Sequence, residues 1–171
     1  MFRFLVLFIT VQLVLFGVEL LGPVQSAVVL PFTTALANVC SALVSFVDPQ
    51  VLAQGKVLMN KTTGFGVSIE PGCNGVEACI VLFAAVIAFP ARWQDKLKGL
   101  ALGLLAVQLL NVVRVVSLFY LGQWNMNWFR FAHEYLWQGL IMLDVLVFFL
   151  MWVRYFVNRE PAAPPAAAHA A

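Results

Sequence analysis

Five apolar runs cover most of this 171-residue chain: roughly Phe4 to Leu21, Ser26 to Val47, Asn74 to Phe89, Leu97 to Leu121 and Tyr135 to Val157. A soluble domain cannot hide that much apolar length. Hydrophobic residues make up 63% of the chain and charged ones only 11%, whereas globular chains carry about 25% charged residues. The bilayer is the solvent. At about 20 residues per spanning helix, the predicted fold is an all-α polytopic membrane protein with about five transmembrane helices. The second run contains Pro31, Thr33, Thr34 and Asn38 and reads as a tilted or broken helix. The third is short and carries Glu77 near its start. The first run is placed like a signal peptide, but "VELLGPVQSA" offers a poor small-residue cleavage site, so it is expected to be retained.

The membrane body is expected over residues 1–157, with a loop at 48–73 and a disordered Pro/Ala-rich tail at 158–171. The loop has short β-branched runs, Gly64 and Gly66 as turn residues, and alternation in "GVSIE". That pattern predicts a small β-hairpin outside the membrane. Arg92, Lys96 and Lys98 lie between runs three and four, and Arg154 and Arg159 follow run five. Both groups should face the cytoplasm, since positive charge stays inside. The hairpin and the aromatic connection "GQWNMNWFRFAHE" then face outward. Counting five spans back puts the N-terminus outside. A re-entrant second run puts it inside, where Arg3 would fit.

The net charge of +2 and the scattered Lys and Arg argue against nucleic acid as a partner. Three cysteines, Cys40, Cys73 and Cys79, without CxxC spacing argue against a disulfide framework and a zinc site. No metal or other cofactor is expected.

Charges inside a membrane cost roughly 2.5–3.5 kcal/mol at a helix centre, so each needs a reason. The candidates are Glu19, Glu77, Arg114 and Asp144. Arg114 cannot shed its charge and follows Gln108 and Asn111 at three-residue steps, a polar stripe in "QLLNVVR". It needs a wet cavity or an ion pair with Glu77 or Asp144. Cys73 stands at the outer start of the third run, between Gly72 and Gly75. A helix N-terminus there would favour its thiolate, and the glycines would leave its backbone open. Glu77 is one turn on, a structural carboxylate or a partner for Arg114. Cys40 and Cys79 sit inside apolar runs and read as packing. His133 lies at the outer start of the fifth run, beside Glu134. A thiol, an imidazole and a fixed cation from three runs at one depth are the parts of an acyl-transfer site.

The segments "PGCNGVEA", "LNVVRVVSLFYLG" and "AHEYLWQGLIMLDVLVFFLMW" together resemble the exosortase/archaeosortase family of membrane cysteine proteases. The resemblance runs from about Gly64 to Tyr155 and looks most like the exosortase H subtype. It implies that Cys73, Arg114 and His133 form an active site. By the polar stripe and the one-turn spacing, Asn111 and Glu77 are expected to support Arg114. The resemblance also implies a bacterial inner-membrane sorting enzyme whose active site faces outward. The substrates would be exported proteins ending in an IPTL-type motif, a transmembrane helix and a basic cluster. The enzyme would cut near the motif and pass the product to a surface acceptor. Two other readings of the same residues stand beside this one. One is a non-catalytic assembly subunit whose buried charges set helix packing. The other is a thiol redox enzyme using Cys73 and Cys79, against which six-residue spacing on a helix argues.

Overall fold

A computed structural model describes residues 2–157. The expected disordered tail at 158–171, with Arg159 and His169, lies outside the described residues. Five helices follow one another among the described residues: α1 (Phe2–Glu19), α2 (Gly22–Ser45), α3 (Val76–Ala88), α4 (Trp93–Trp124) and α5 (Met126–Val157). Between α2 and α3 lie three short strands, β1 (Val51–Gln54), β2 (Val57–Asn60) and β3 (Gly66–Ser68). The fold is the polytopic α-helical membrane architecture that the apolar runs demand. α1, α2, α4 and α5 are each long and apolar enough to cross a bilayer. Their outer faces expose Leu13, Val14, Leu109 and Leu143, as lipid contact requires.

The third run makes a shorter helix than its neighbours. At 13 residues, α3 rises only about 20 Å at ~1.5 Å per residue, against a hydrocarbon layer of about 30 Å. Its start is set by Gly75, held at φ 78°, and its end by Pro90, which cannot continue a helix. The start is sunk into the bundle. Gly75 faces Asn111, and Cys73 beyond it meets Arg114, 10 residues before Trp124 at the end of α4. That places the Cys73 turn no more than about 15 Å below the α4 terminus at ~1.5 Å per residue.

α2 is unbroken, contrary to one expectation from Pro31. Just before the proline the helix widens into a π turn over Gln25–Val29, where the Leu30 N–H donates to the Gln25 carbonyl. Pro31 has no N–H to give, and its ring presses on the preceding turn, so a wider turn lets the helix run on. The predicted hairpin is a three-stranded antiparallel sheet in the order β1-β2-β3. Gln54 pairs with Val57 across the two-residue turn Gly55–Lys56. Of those two residues only Gly55 has positive φ, the pattern of a type II′ turn. Asn60 closes the second turn, its Oδ1 accepting from the N–H groups of Thr62 (2.8 Å) and Thr63 (3.1 Å).

The sheet caps one end of the bundle. Val51, Leu58 and Ile69 pack on Leu36, Ala37, Cys40 and Val44 of α2 and on Val115 and Phe119 of α4. Cys40 is fully buried there, as a packing residue should be. At the other end Leu82 and Val86 of α3 pack with Val107 of α4 and with Ile141, Val145 and Trp152 of α5. The α1 N-terminus belongs to this second end. The Phe4 ring meets Phe89 at 6.1 Å and Phe149 at 6.4 Å, next to the connection carrying Arg92, Lys96 and Lys98. The N-terminus therefore shares an end with the basic connection, which corrects the arrangement obtained by counting five full spans.

Candidate active site

Cys73 sits in a tight turn that precedes the helix. Its N–H donates to the Glu70 carbonyl at 2.9 Å, and Gly72 and Gly75 on either side both have positive φ. α3 begins only at Val76, so the thiol is three residues ahead of the helix N-terminus expected to activate it. Asn74 anchors the turn. Fully buried, it accepts from the Val76 N–H at 3.0 Å and donates Nδ2 to Thr33 Oγ1 of α2 at 3.1 Å. Asn74 was not among the residues singled out from sequence, although an asparagine just before an apolar run is a helix-start signal. Glu77 turns back and accepts the Gly72 N–H. It holds the cysteine turn and forms no ion pair with Arg114.

Arg114 reaches the turn from α4. Only 2% exposed, its guanidinium donates Nη1 to the Gly72 carbonyl at 3.2 Å and Nη2 to Cys73 Sγ at 3.4 Å. The ion pairs found among the described residues are Lys56–Glu70 and Arg92–Asp95, so neither Glu77 nor Asp144 supplies the partner considered for Arg114. Its contacts are instead a carbonyl and a sulfur. Asn111 does not bond Arg114 either. It is fully buried beneath the cysteine turn, and both its polar side-chain atoms lack a hydrogen-bond partner among the described residues. Gln108, one turn earlier, donates to Cys79 Sγ at 3.3 Å. All three cysteines are free thiols.

His133 arrives from α5. Its Nε2 lies 3.0 Å from Cys73 Sγ, and its ring stacks on Phe129 at 5.7 Å with a 14° interplanar angle. The helix carrying it starts two turns earlier than expected. Asn125 caps that start, accepting from the N–H groups of Asn127 (2.9 Å) and Trp128 (3.3 Å). His133 occupies a π turn over Ala132–Leu136, a local widening that resets the direction of the side chains it carries.

The three side chains expected to converge thus do so, with His133 and Arg114 both within hydrogen-bonding distance of the Cys73 sulfur. They share a cavity of about 50 Å³ with Val67, Ser68 and Ile69 of the sheet edge and Phe129 of α5. Burial pushes the Cys73 thiol above its ordinary range. Arg114 pulls it down, and Glu77 and Glu70 push it up. A thiol is thus in contact with an imidazole and a cation, an arrangement able to pass the sulfur's proton to Nε2 and to stabilise the anion that results.

No curated protein and no solved structure matched the chain. The protein-family model described as "Transmembrane exosortase (Exosortase_EpsH)" matches residues 1–153. With the match spanning nearly all of the helical bundle and the cysteine turn within it, this integral membrane protein belongs to the transmembrane exosortase family.

Proposed function

We propose that the chain is a membrane cysteine protease and transpeptidase that cleaves C-terminal sorting signals from exported proteins. The observation carrying this reading is Cys73 Sγ held between His133 Nε2 at 3.0 Å and Arg114 Nη2 at 3.4 Å. As the sulfur attacks the scissile carbonyl carbon, its proton passes to His133 Nε2. The carbonyl π electrons move onto oxygen. Arg114 stabilises the resulting negative charge, on the oxyanion or on the sulfur as its proton leaves. Collapse breaks the C–N bond, and His133 returns the proton to the departing amine. The substrate remains on Cys73 as a thioester. An acceptor nucleophile at the outer surface then attacks it, losing a proton to His133, and the thiol is restored.

The proposed substrates are exported proteins ending in an IPTL-type motif, an apolar helix and a basic cluster. A cysteine turn up to about 15 Å below the α4 terminus (at ~1.5 Å per residue) suits a cleavage point next to a membrane-embedded helix. The proposed location is the bacterial cytoplasmic membrane with the site facing outward. Arg92, Lys96, Lys98 and Arg154 at the far end support that orientation by the positive-inside rule.

Co-expression with a tagged reporter bearing such a tail tests the reading. Cys73→Ala and Cys73→Ser should both leave the reporter full length. Normal processing by both variants overturns the catalytic role. It would favour a non-catalytic assembly subunit, for which Arg114→Lys is harmless and Cys73 is inert to thiol reagents added from outside.

A further inference from the structure

The sheet beside the cysteine turn has one free edge, and that edge opens on the site. In the β2–β3 pairing Leu58 opposes Val67. The Asn60 N–H donates to the Phe65 carbonyl at 2.9 Å and the Ile69 N–H to the Lys56 carbonyl at 3.0 Å. Along an antiparallel pair the bonded positions alternate. Phe65, Val67 and Ile69 therefore turn their main-chain groups toward β2, and Gly66 and Ser68 turn theirs away from it. Both residues are exposed, and among the described residues nothing bonds their N–H or C=O groups. The opposite edge of the sheet is partly closed, since the Val51 N–H donates to the Asp48 carbonyl at 3.1 Å. Natural sheets blunt exposed edges with short strands, proline, lysine or bulges, and β3, though only three residues long, carries no proline, lysine or bulge.

Location distinguishes this edge from an idle one. Val67, Ser68 and Ile69 line the same cavity as Cys73, Arg114 and His133. We propose that β3 receives an extended segment of the substrate as a fourth strand, hydrogen-bonded to Gly66 and Ser68, which aligns the scissile bond with Cys73. This rests on the catalytic reading above and deepens it. The sheet caps the end of the bundle, while the substrate's apolar helix must stay in the bilayer. The segment at β3 is therefore the chain immediately N-terminal to the cleavage point. Main-chain pairing supplies affinity with little demand on sequence, and selectivity falls to alternate side chains of the bound strand.

A cross-linking walk tests this in membranes. A chain carrying Ser68→Cys and Cys73→Ala is co-expressed with the exported reporter bearing an IPTL-type tail. Single cysteines are placed at each of the residues preceding the cleavage point, and disulfide formation is driven by a mild oxidant. The chain with Cys73→Ala alone sets the background from Cys40 and Cys79. Cross-linking several-fold stronger at every second reporter position is the expected result, because a paired strand repeats with period two. The unsubstituted chain is tested for cleavage of the same reporters in parallel. Uniform or absent cross-linking to reporters that are cleaved overturns the strand pairing and leaves the catalytic reading intact. Failure to cleave any reporter removes the catalytic reading, and the inference with it. A dimer of Ser68→Cys chains formed without reporter assigns the edge to a second copy and also overturns the proposal.

Discussion

Along α4, the turns nearest the basic connection treat polar atoms differently from the turns nearest the sheet. In the first half Gly99 and Gly103 let neighbours press close. A Cβ on Gly99 would overlap the Trp152 indole, and one on Gly103 would overlap Leu82 and Phe148. Trp152 Nε1 in that packing is satisfied, donating to the Asp95 carbonyl at 2.8 Å, while Asp144 Oδ2 of the facing α5 is buried without a partner among the described residues. In the second half Gln108 Oε1, both polar atoms of Asn111 and Arg114 Nε are buried without partners among the described residues. A buried polar group left with no partner of any kind costs about 1–3 kcal/mol. The two halves form one continuous helix, so the difference lies in their side chains. One end is closed by shape and holds the bundle together. The other keeps polar groups beneath the cysteine turn at a cost in stability, which is where a site is expected to break the packing rules.

The largest effect should come from replacing the cation at the polar end. Arg114→Lys keeps the charge but loses the planar fork that spans the Gly72 carbonyl and Cys73 Sγ. Removing one donor that stabilises an oxyanion costs about 10²–10³-fold in rate, so reporter processing should fall by about that factor while the protein still accumulates in membranes. With Arg114→Met the Cys73 thiol loses the group that pulls it down, and its alkylation at fixed mildly alkaline pH should slow. Unchanged processing with Arg114→Lys would make the arginine a packing element and erase the contrast between the halves.

How far these two ends could be read from sequence depends on the residue. Arg114, Cys73 and His133 stand out because ionisable or reactive groups are conspicuous in apolar runs, and the structure brings all three together. For Glu77 the sequence allowed a structural role or a pair with Arg114, and one-turn spacing could not show the preceding chain curling back to offer it the Gly72 N–H. The true start of α5 was hidden because "NMNWFRF" looks like an interfacial aromatic belt, although Asn125 carries the capping signal. The alternation in "GVSIE" marked β3, but nothing in it told which edge of the sheet would face the cysteine turn. Gly99 and Gly103 raised no expectation, since close approach depends on what the partner helix presents.

Gly75→Ala attacks the junction between the cysteine turn and the polar stripe. The positive φ at this position costs an L-residue about 1–2 kcal/mol. The added methyl would also fall 2.9 Å from Gln108 Nε2 and 3.1 Å from Asn111 Nδ2. The turn must shift, and Cys73 moves off His133. Processing should drop by about tenfold or more, since 1.4 kcal/mol is one factor of ten, with a smaller loss of thermal stability. Gly99→Ala tests the closed end. Overpacking costs about 1–3 kcal/mol, so the unfolding midpoint in detergent should fall while residual folded protein processes the reporter at the normal rate. If Gly99→Ala instead cuts the rate per folded molecule, the two halves are coupled and the division proposed here fails.

The smallest expected effect lies outside the bilayer, at Glu70. Lys56 and then Ser68 hold its carboxyl below the ordinary range by hydrogen bonding. A carboxyl lowered by folding adds stability above its unfolded range and loses it as pH falls through its folded range. The side chains of Lys56 and Glu70 are 36% and 54% exposed, so water screens most of that contribution, and such surface pairs contribute about 0.2–1 kcal/mol. Glu70→Gln should therefore lower stability slightly at neutral pH, and the difference should vanish in acid as the native carboxyl is protonated. The same substitution removes one of the negative charges that push the Cys73 thiol up. Alkylation of Cys73 should then quicken modestly at neutral pH, the opposite direction from Arg114→Met. If both substitutions slow alkylation, access to the sulfur governs its reactivity, and the electrostatic account of the polar end gives way to a steric one.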